Sequence, residues 1–151
     1  MTPPRVVVVG DVAVDVIVEP CPPTVASGPE RSGGEIIVGA DVPARIRTRA
    51  GGAGANTAAW LAHLGADVTL VARVGDDPAG RAAAADLRAA GVRPALAVDP
   101  EHPTCTVVVL VADGDRTMLS DRGAAAFLAP ADLPSLEAAD HLHLSGYVLL
   151  G

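Results

Sequence analysis

A run of glycines that ends in an asparagine is the stretch of this 151-residue sequence best suited to hold a polar ligand. It reads Gly51-Gly-Ala-Gly-Ala-Asn56 and lies where the pattern predicts that a strand gives way to a helix. Absent side chains let a ligand approach the backbone, and we expect the N–H groups at the helix start to remain free. The Asn56 amide both donates and accepts, which suits a sugar hydroxyl better than a simple anion. A glycine-rich turn in which Asn56 satisfies only local backbone groups explains the pattern equally well.

Acidic residues elsewhere have both a chemical and a structural explanation. Asp15 follows the first strand region, and an aspartate there could bind a ligand or satisfy nearby N–H groups. Asp77 directly precedes Pro78, so we expect it and its neighbour Asp76 to favour the positive end of a helix. We therefore predict a structural role for Asp76 and Asp77 and no catalytic one.

Histidines, arginines and a tyrosine in the last third of the chain are weaker candidates. His141 and His143 share a face of a predicted strand and could both bind a metal, but no third ligand stands nearby in sequence, so we predict no metal site. Arg116 and Arg122 could approach a phosphate or a carboxylate, or could be ordinary solvated residues. Tyr147 ends the strand, at the sheet edge where α/β folds bind ligands.

The elements that must position these residues alternate between strands and helices, as in a parallel α/β fold. The first strand is a continuous β-branched run, typical of a strand buried on both faces. Two or three short strands before the first helix suggest an antiparallel appendage. Strands are predicted at 6–9, 12–18, 35–38, 44–48, 68–74, 95–98, 104–112, 116–120 and 141–145, with helices at 53–64, 78–90 and 130–139. Residues 20–34 are rich in Pro, Gly and Ser and are predicted to form a loop.

Composition excludes several classes of function. The net charge of −7 argues against a nucleic-acid partner, which needs a concentrated basic surface. All eleven basic residues are arginine, so a Walker-type phosphate loop is excluded because it requires a lysine. A dinucleotide-binding GxGxxG motif is also missing, since Gly10-Asp-Val-Ala-Val-Asp15 has one glycine. With two isolated cysteines and no signal or membrane-spanning run, we expect a cytoplasmic protein without membrane partners.

The spacing of the glycines resembles the first signature of the ribokinase-like PfkB carbohydrate kinase family. Gly51-Gly52, Gly54, Asn56 and Ala58 are followed by Gly65 and Gly75 at the family's intervals, and the stretches 10–15 and 74–80 extend the resemblance over essentially the whole chain. The resemblance implies an α/β fold, the N-terminal half of a ribokinase-like three-layer α/β/α core with a small β-strand lid. Residues 12–18, 35–38 and the hairpin 104–120 would contribute to that lid.

The same resemblance implies a substrate site. In the family, the residue matching Asp15 binds sugar hydroxyls, and the residues matching Gly51, Gly52 and Asn56 line the same pocket. The implied reaction is ATP-dependent phosphorylation of a sugar or polyol hydroxyl, with ATP and Mg²⁺ as cofactors and a small-molecule sugar as partner. Two alternatives stay open. One is a nucleoside kinase of the family, and the other is a noncatalytic binding or dimerisation module that forms a homodimer through the lid.

A second family signature, Asp-Thr-x-Gly-Ala-Gly-Asp, carries the catalytic base and has no counterpart in the 151 residues. We therefore expect residues 1–151 to be the N-terminal substrate-binding and lid portion of a kinase domain, with the C-terminal ATP-binding and catalytic portion absent. ATP and Mg²⁺ would bind mainly through that portion. We assign no catalytic residue and expect these 151 residues alone to be inactive.

Overall fold

The computed structural model describes residues 2–21, 39–112 and 114–149. Among them, two α-helices and eight strands are arranged around two four-stranded sheets. In chain order the elements are β1 (Arg5–Val9), β2 (Ala13–Pro20), β3 (Ala44–Gly51), α1 (Ala53–His63), β4 (Asp67–Gly75), α2 (Pro78–Ala89), β5 (Arg93–Asp99), β6 (Cys105–Ala112), β7 (Asp115–Asp121) and β8 (His141–Leu144). The predicted strand 35–38 and most of the predicted loop lie outside the described residues.

The first sheet has the strand order β5-β4-β1-β8, and all its neighbouring strands are parallel. β1 lies between β4 and β8, which explains its unbroken run of valines, because a strand buried on both faces has no polar side to show. Val8 and Leu70 are completely buried. The prediction of a parallel α/β core is confirmed.

Both α-helices pack on one face of this sheet. The core there joins valines of β1 and β4 to small or branched residues of the helices, among them Ala58 of α1 and Leu87 of α2. Alanine at such contacts lets a helix approach a sheet closely. This packing fixes α1 directly above the strands whose carboxyl ends carry the candidate site.

The other face of the sheet is covered, within the described residues, by the segment 123–139. Val7, Val9 and Val71 pack against Leu128 and Leu133 there. The prediction of a helix over 130–139 is wrong, since only Pro130–Asp132 forms a short 3-10 turn. Leu133 adopts ψ 132° because the following Pro134 disfavours helical geometry, and Pro134 has no N–H to continue a helix.

The second sheet, with the order β3-β2-β6-β7, forms the lid. The β6–β7 hairpin is confirmed, although Asp113 of its turn lies outside the described residues. The predicted antiparallel appendage is mixed instead, because β2 and β6 are parallel. Both strands follow the carboxyl ends of first-sheet strands and leave that sheet in the same direction.

Cross-strand register gives the lid two unlike faces, since paired residues point to the same side and successive residues to opposite sides. The apolar lid face carries Val16, Val18, Ile46, Val108, Leu110 and Leu119. The opposite side, here called the Asp15 face, carries six charged residues: Asp15, Glu19, Arg45, Arg47, Arg49 and Arg116.

Helix α2 begins as predicted. The Asp77 carboxylate accepts a hydrogen bond from the Gly80 N–H at 2.7 Å, and Pro78 is the first helical residue. The same carboxylate also accepts from the N–H of Thr104 at 2.7 Å and from its hydroxyl at 2.8 Å, which anchors the start of β6. Burial alone would raise the pKa of Asp77, but the hydrogen bonds from Thr104 and Gly80 outweigh it and lower that pKa.

Neither α1 nor α2, the helices of the described residues, is long and apolar enough to span a bilayer.

Candidate functional site

The start of α1 is capped by Asp11, which lies in the connection between β1 and β2. The Asp11 carboxylate accepts hydrogen bonds from the N–H groups of Ala53 at 3.0 Å and Gly54 at 3.2 Å, and the Asp11 carbonyl accepts from Ala55 at 3.1 Å. The N–H of Asn56 donates to the Gly52 carbonyl. The expectation of free N–H groups at this helix start is therefore wrong, because the chain supplies its own carboxylate to them.

Two glycines of the motif are required by chain packing. A β-carbon on Gly54 would lie 2.6 Å from the Gly10 Cα and 2.7 Å from the Asp11 nitrogen. Gly52 has φ +98°, and a β-carbon there would lie 2.6 Å from the Asp11 carbonyl oxygen. Both positions require glycine because α1 lies against the connection between β1 and β2.

Asp15 and Gly51, in contrast, form a polar surface at the base of the lid. Asp15 on β2 faces Arg49 on β3, and its carboxylate lies against Gly51, where a β-carbon would overlap it. Burial, together with the charge of Asp11, raises the pKa of Asp15. Position 51 therefore requires glycine because the Asp15 carboxylate lies so close to its Cα.

Two of the predicted site residues have polar side-chain atoms available to a ligand. In the part of the chain that the structure describes, neither the Asp15 carboxylate nor the Asn56 side-chain amide has a hydrogen-bond partner. Asp15 is half-buried and Asn56 is exposed in the first turn of α1. Because a polar group in a concave site gains most from a ligand when the protein does not already satisfy it, both are suited to bind hydroxyl groups.

A cleft of about 620 Å³ opens between the start of α1 and the end of β8. Thr57, His143 and Tyr147 are among its lining residues. Its floor includes Ser145, whose hydroxyl donates to the Asp11 carboxylate at 3.3 Å. The cleft lies at the carboxyl ends of parallel strands, the edge where open α/β sheets bind ligands.

Comparison with known proteins agrees with this architecture. Residues 37–151 match the sequence profile of a family described as pfkB family carbohydrate kinase. The chain belongs to this family. A ribokinase from Bacillus subtilis (strain 168) is 32% identical over 128 residues, which cover 84% of this chain and 40% of that protein. A fructokinase from Klebsiella pneumoniae is 38% identical over 113 residues, covering 72% of this chain and 37% of that protein.

Solved structures of ribokinases confirm the predicted ribokinase-like fold. A ribokinase from Cryptococcus neoformans var. grubii serotype A in complex with ADP gives a TM-score of 0.74 at 28% identity, covering 97% of this chain and 43% of that one. A putative ribokinase II from E. coli in complex with ATP and Mg²⁺ gives 0.76 at 20% identity, covering 98% and 44%. The chain thus spans about two fifths of the length of these relatives.

Two of the remaining candidates in this pfkB family chain, Asp76 and Arg122, have structural partners. Asp76 forms an exposed ion pair with Arg81 at 3.1 Å. Arg122 donates to the Tyr147 carbonyl at 2.8 Å and so ties the end of the lid to the exit of β8. His141 and His143 lie on β8, and the described ranges contain no group of three His, Cys, Asp or Glu side chains that could hold a metal ion.

The role of Asp11 was missed from the sequence. Its partners lie 42 and 43 positions further on, so nothing local to Gly10-Asp11 shows the contact. The available signal was the pairing of Gly10 with Gly54, two glycines that permit the same close approach.

Proposed function

We propose that this chain is the acceptor-binding part of an ATP-dependent kinase that phosphorylates a hydroxyl of a sugar or related polyol. The observation that carries the proposal is the half-buried Asp15 carboxylate, which lies against Gly51 without an internal hydrogen-bond donor in the described residues. Ionised Asp15 accepts hydrogen bonds from acceptor hydroxyls, while the Asn56 amide donates and accepts. Membership of the carbohydrate kinase family supports this assignment.

In the proposed reaction the acceptor oxygen attacks the terminal phosphorus of ATP, the bond to the bridging oxygen of ADP breaks, and the hydroxyl proton passes to a base. Positioning supplies much of the catalysis in phosphoryl transfer, so a site that fixes the attacking oxygen is a substantial part of the enzyme. Asp15 and Asn56 hold the acceptor, and the lid sheet excludes water above it. We assign no residue of this chain to the base.

ATP and Mg²⁺ are the proposed cofactors. The ribokinase from Cryptococcus was solved with ADP and the putative ribokinase II from E. coli with ATP and Mg²⁺. We propose that both bind mainly through residues outside this sequence. The sequence contributes no lysine for phosphate, and the described residues offer no cluster of three metal-ligating side chains.

A sugar fits this site better than a nucleoside. Nucleoside pockets add an aromatic surface for the base. Phe127 is already stacked on His102, with ring centroids 3.9 Å apart, and Trp60 packs edge-on against His63. Tyr147 of the cleft is thus the aromatic side chain left to face a base. Relatives described as ribokinase and fructokinase support the same choice.

We also propose that a second copy of this chain covers the apolar lid face. Ile46 is 64% exposed, and Leu119 is 56% exposed, so apolar surface is open to water at both edges of the lid. The six apolar residues are uncharged, and the two acidic residues on the same side, Asp115 and Asp121, stand at the two ends of β7. Two such faces can therefore meet without like charges in the middle of the contact. A symmetric pairing would bury the same residues in both copies.

Calorimetric titration of the 151-residue chain with ribose, fructose and adenosine tests the proposed acceptor site. We expect a sugar to bind and Asp15→Ala or Asn56→Ala to weaken it by about 1–3 kcal/mol for each hydrogen bond lost. Asp86→Ala, an exposed change on α2, is the matched control and should leave sugar affinity unchanged. Wild-type affinity in both site variants would contradict the assignment, and preferential binding of adenosine would favour the nucleoside alternative.

A further inference from the structure

The Asp15 face of the lid carries more positive than negative charge, although the whole chain is acidic. Four arginines and two carboxylates occupy its positions in the four strands. Acidic residues outnumber basic ones by 18 to 11 in the sequence, so arginines have abundant carboxylates with which to pair. A net positive face beside the candidate site is therefore not what composition predicts.

Most arginines of the described residues have an ion-pair or hydrogen-bond partner. Arg5, Arg73, Arg81 and Arg93 pair with carboxylates, as does Arg47 with Glu19 at 2.6 Å. Arg88 and Arg122 donate to backbone carbonyls. Within residues 2–21, 39–112 and 114–149, the arginine side chains with no hydrogen bond or ion pair are Arg45, Arg49 and Arg116. All three lie on the Asp15 face.

Arg49 is the one placed to act at the site. It is exposed, stands directly opposite Asp15 in the β2–β3 register and precedes Gly51 by two residues on the same face. Residues opposite each other in an antiparallel pair have β-carbons about 4.5–5.5 Å apart. Even so, Arg49 and Asp15 form no ion pair, so both charged groups are left for a ligand.

We infer that the acceptor carries an anionic group, a phosphate or a carboxylate, which Arg49 binds while Asp15 binds a hydroxyl of the same molecule. This inference rests on the proposed function. A neutral sugar offers the guanidinium only single hydroxyl oxygens, and Asp15 and Asn56 already supply partners for hydroxyl groups. A planar guanidinium matches two oxygens of a phosphate or carboxylate at once, and the net positive Asp15 face attracts an anion towards the site.

Titration of the chain with matched neutral and anionic sugars tests this inference: fructose against its 1- and 6-phosphates, and glucose against gluconate. We expect one anionic sugar to bind about 10- to 100-fold more tightly than its neutral counterpart. The phosphate and gluconate arms identify the anionic group. Raising NaCl from about 50 to about 500 mM should weaken binding of the anionic sugar but not of the neutral one, because salt screens an exposed charge pair.

Arg49→Gln should remove most of the preference for the anionic sugar, whereas Arg88→Gln on α2 should leave both that preference and neutral-sugar affinity unchanged. The salt series on the unaltered protein gives a second measurement that needs no variant. Equal binding of neutral and anionic sugars, with loss of both in Asp15→Ala, would overturn the inference and retain the proposed function. Failure of every sugar to bind would overturn both. ATP binding that depends on Arg49 without any anionic-sugar preference would overturn the inference alone.

Discussion

The carboxylate of Asp15 lies against the Cα of Gly51, in the space that any β-carbon at position 51 would occupy. Gly51→Ala should therefore displace the Asp15 carboxylate from its position at the base of the lid. We expect sugar affinity to fall by about 1–3 kcal/mol, comparable to losing the hydrogen bonds of Asp15. Calorimetric titration with the sugar that binds the unaltered chain measures the loss.

Gly65→Ala is the control for a general effect of replacing a glycine. Gly65 has φ +93° in the turn after α1, and no atom lies within 4 Å of a β-carbon placed there. The control should lower the free energy of unfolding by about 1 kcal/mol through backbone strain and leave sugar affinity unchanged. Equal sugar affinity in Gly51→Ala and the unaltered chain would show that Asp15 need not hold this position.

Asp15→Asn should make the protein more stable at neutral pH while it weakens sugar binding. Burial first, and then the charge of Asp11, raise the pKa of Asp15 in the folded state. A carboxyl with a raised pKa contributes stability below its unfolded pKa of about 3.9 and loses it as pH rises through the folded value. At pH 7 the amide avoids that loss, so thermal unfolding should occur at a higher temperature, with the gain shrinking towards about pH 3. A lower unfolding temperature at pH 7 would be inconsistent with this account.

Asp77→Ala should strongly destabilise the fold, because three hydrogen bonds connect this carboxylate to Gly80 and Thr104. Loss of the helix cap and of partners for the buried Thr104 should cost about 2–4 kcal/mol in the free energy of unfolding. The lowered pKa means that this stabilisation is present above about pH 4 and is lost as pH falls through the folded pKa. Urea unfolding at several pH values measures the cost.

The neighbouring Asp76→Ala is the matched control for that experiment. Asp76 makes an exposed ion pair with Arg81, and such pairs contribute about 0–1 kcal/mol. The two variants remove the same charge at adjacent positions, so equal losses of stability would rule out the hydrogen bonds of Asp77 as the cause.

Self-association through the lid can be tested with two adjacent residues of β7. Leu119 lies on the apolar lid face and is 56% exposed, whereas Met118 lies on the Asp15 face and is 51% exposed. Leu119→Glu should convert a dimer to a monomer in sedimentation velocity, because it places a charge within the apolar contact. Met118→Glu should leave the dimer intact. A monomeric unaltered chain at all concentrations would refute the proposed contact.

Elements with local signals were predictable from the sequence. Helix α2 was marked at both ends, by Asp77 with Pro78 and by Gly91, which adopts φ +81°. β1 was marked by its valines. The segment 130–139 has no such signals, and the helix predicted there is prevented by Pro134. Helices and strands are therefore predicted best where residues close together in the sequence mark their ends or their burial.

The candidate site was only partly predictable for the same reason. Motif spacing brought Asp15 and Gly51 into one prediction, and the structure places them in contact. The capping of α1 by Asp11 depends on two segments more than 40 positions apart. The sequence therefore predicted free N–H groups at this helix start, although those of Ala53, Gly54 and Ala55 all donate to Asp11. Side-chain contacts across such distances follow from packing and not from periodicity.

The position of β1 in the middle of its sheet also affects how the protein is made. β1 pairs with β8 across most of the chain, and Arg5 binds Asp140 at a separation of 135 residues. During synthesis the edge of β1 that pairs with β8 must therefore stay open until almost all of these residues have left the ribosome. Such late pairing slows folding and favours aggregation. We expect the nascent chain to bind chaperones that recognise exposed β-branched segments, and yields of folded protein to rise when synthesis is slowed or carried out at lower temperature.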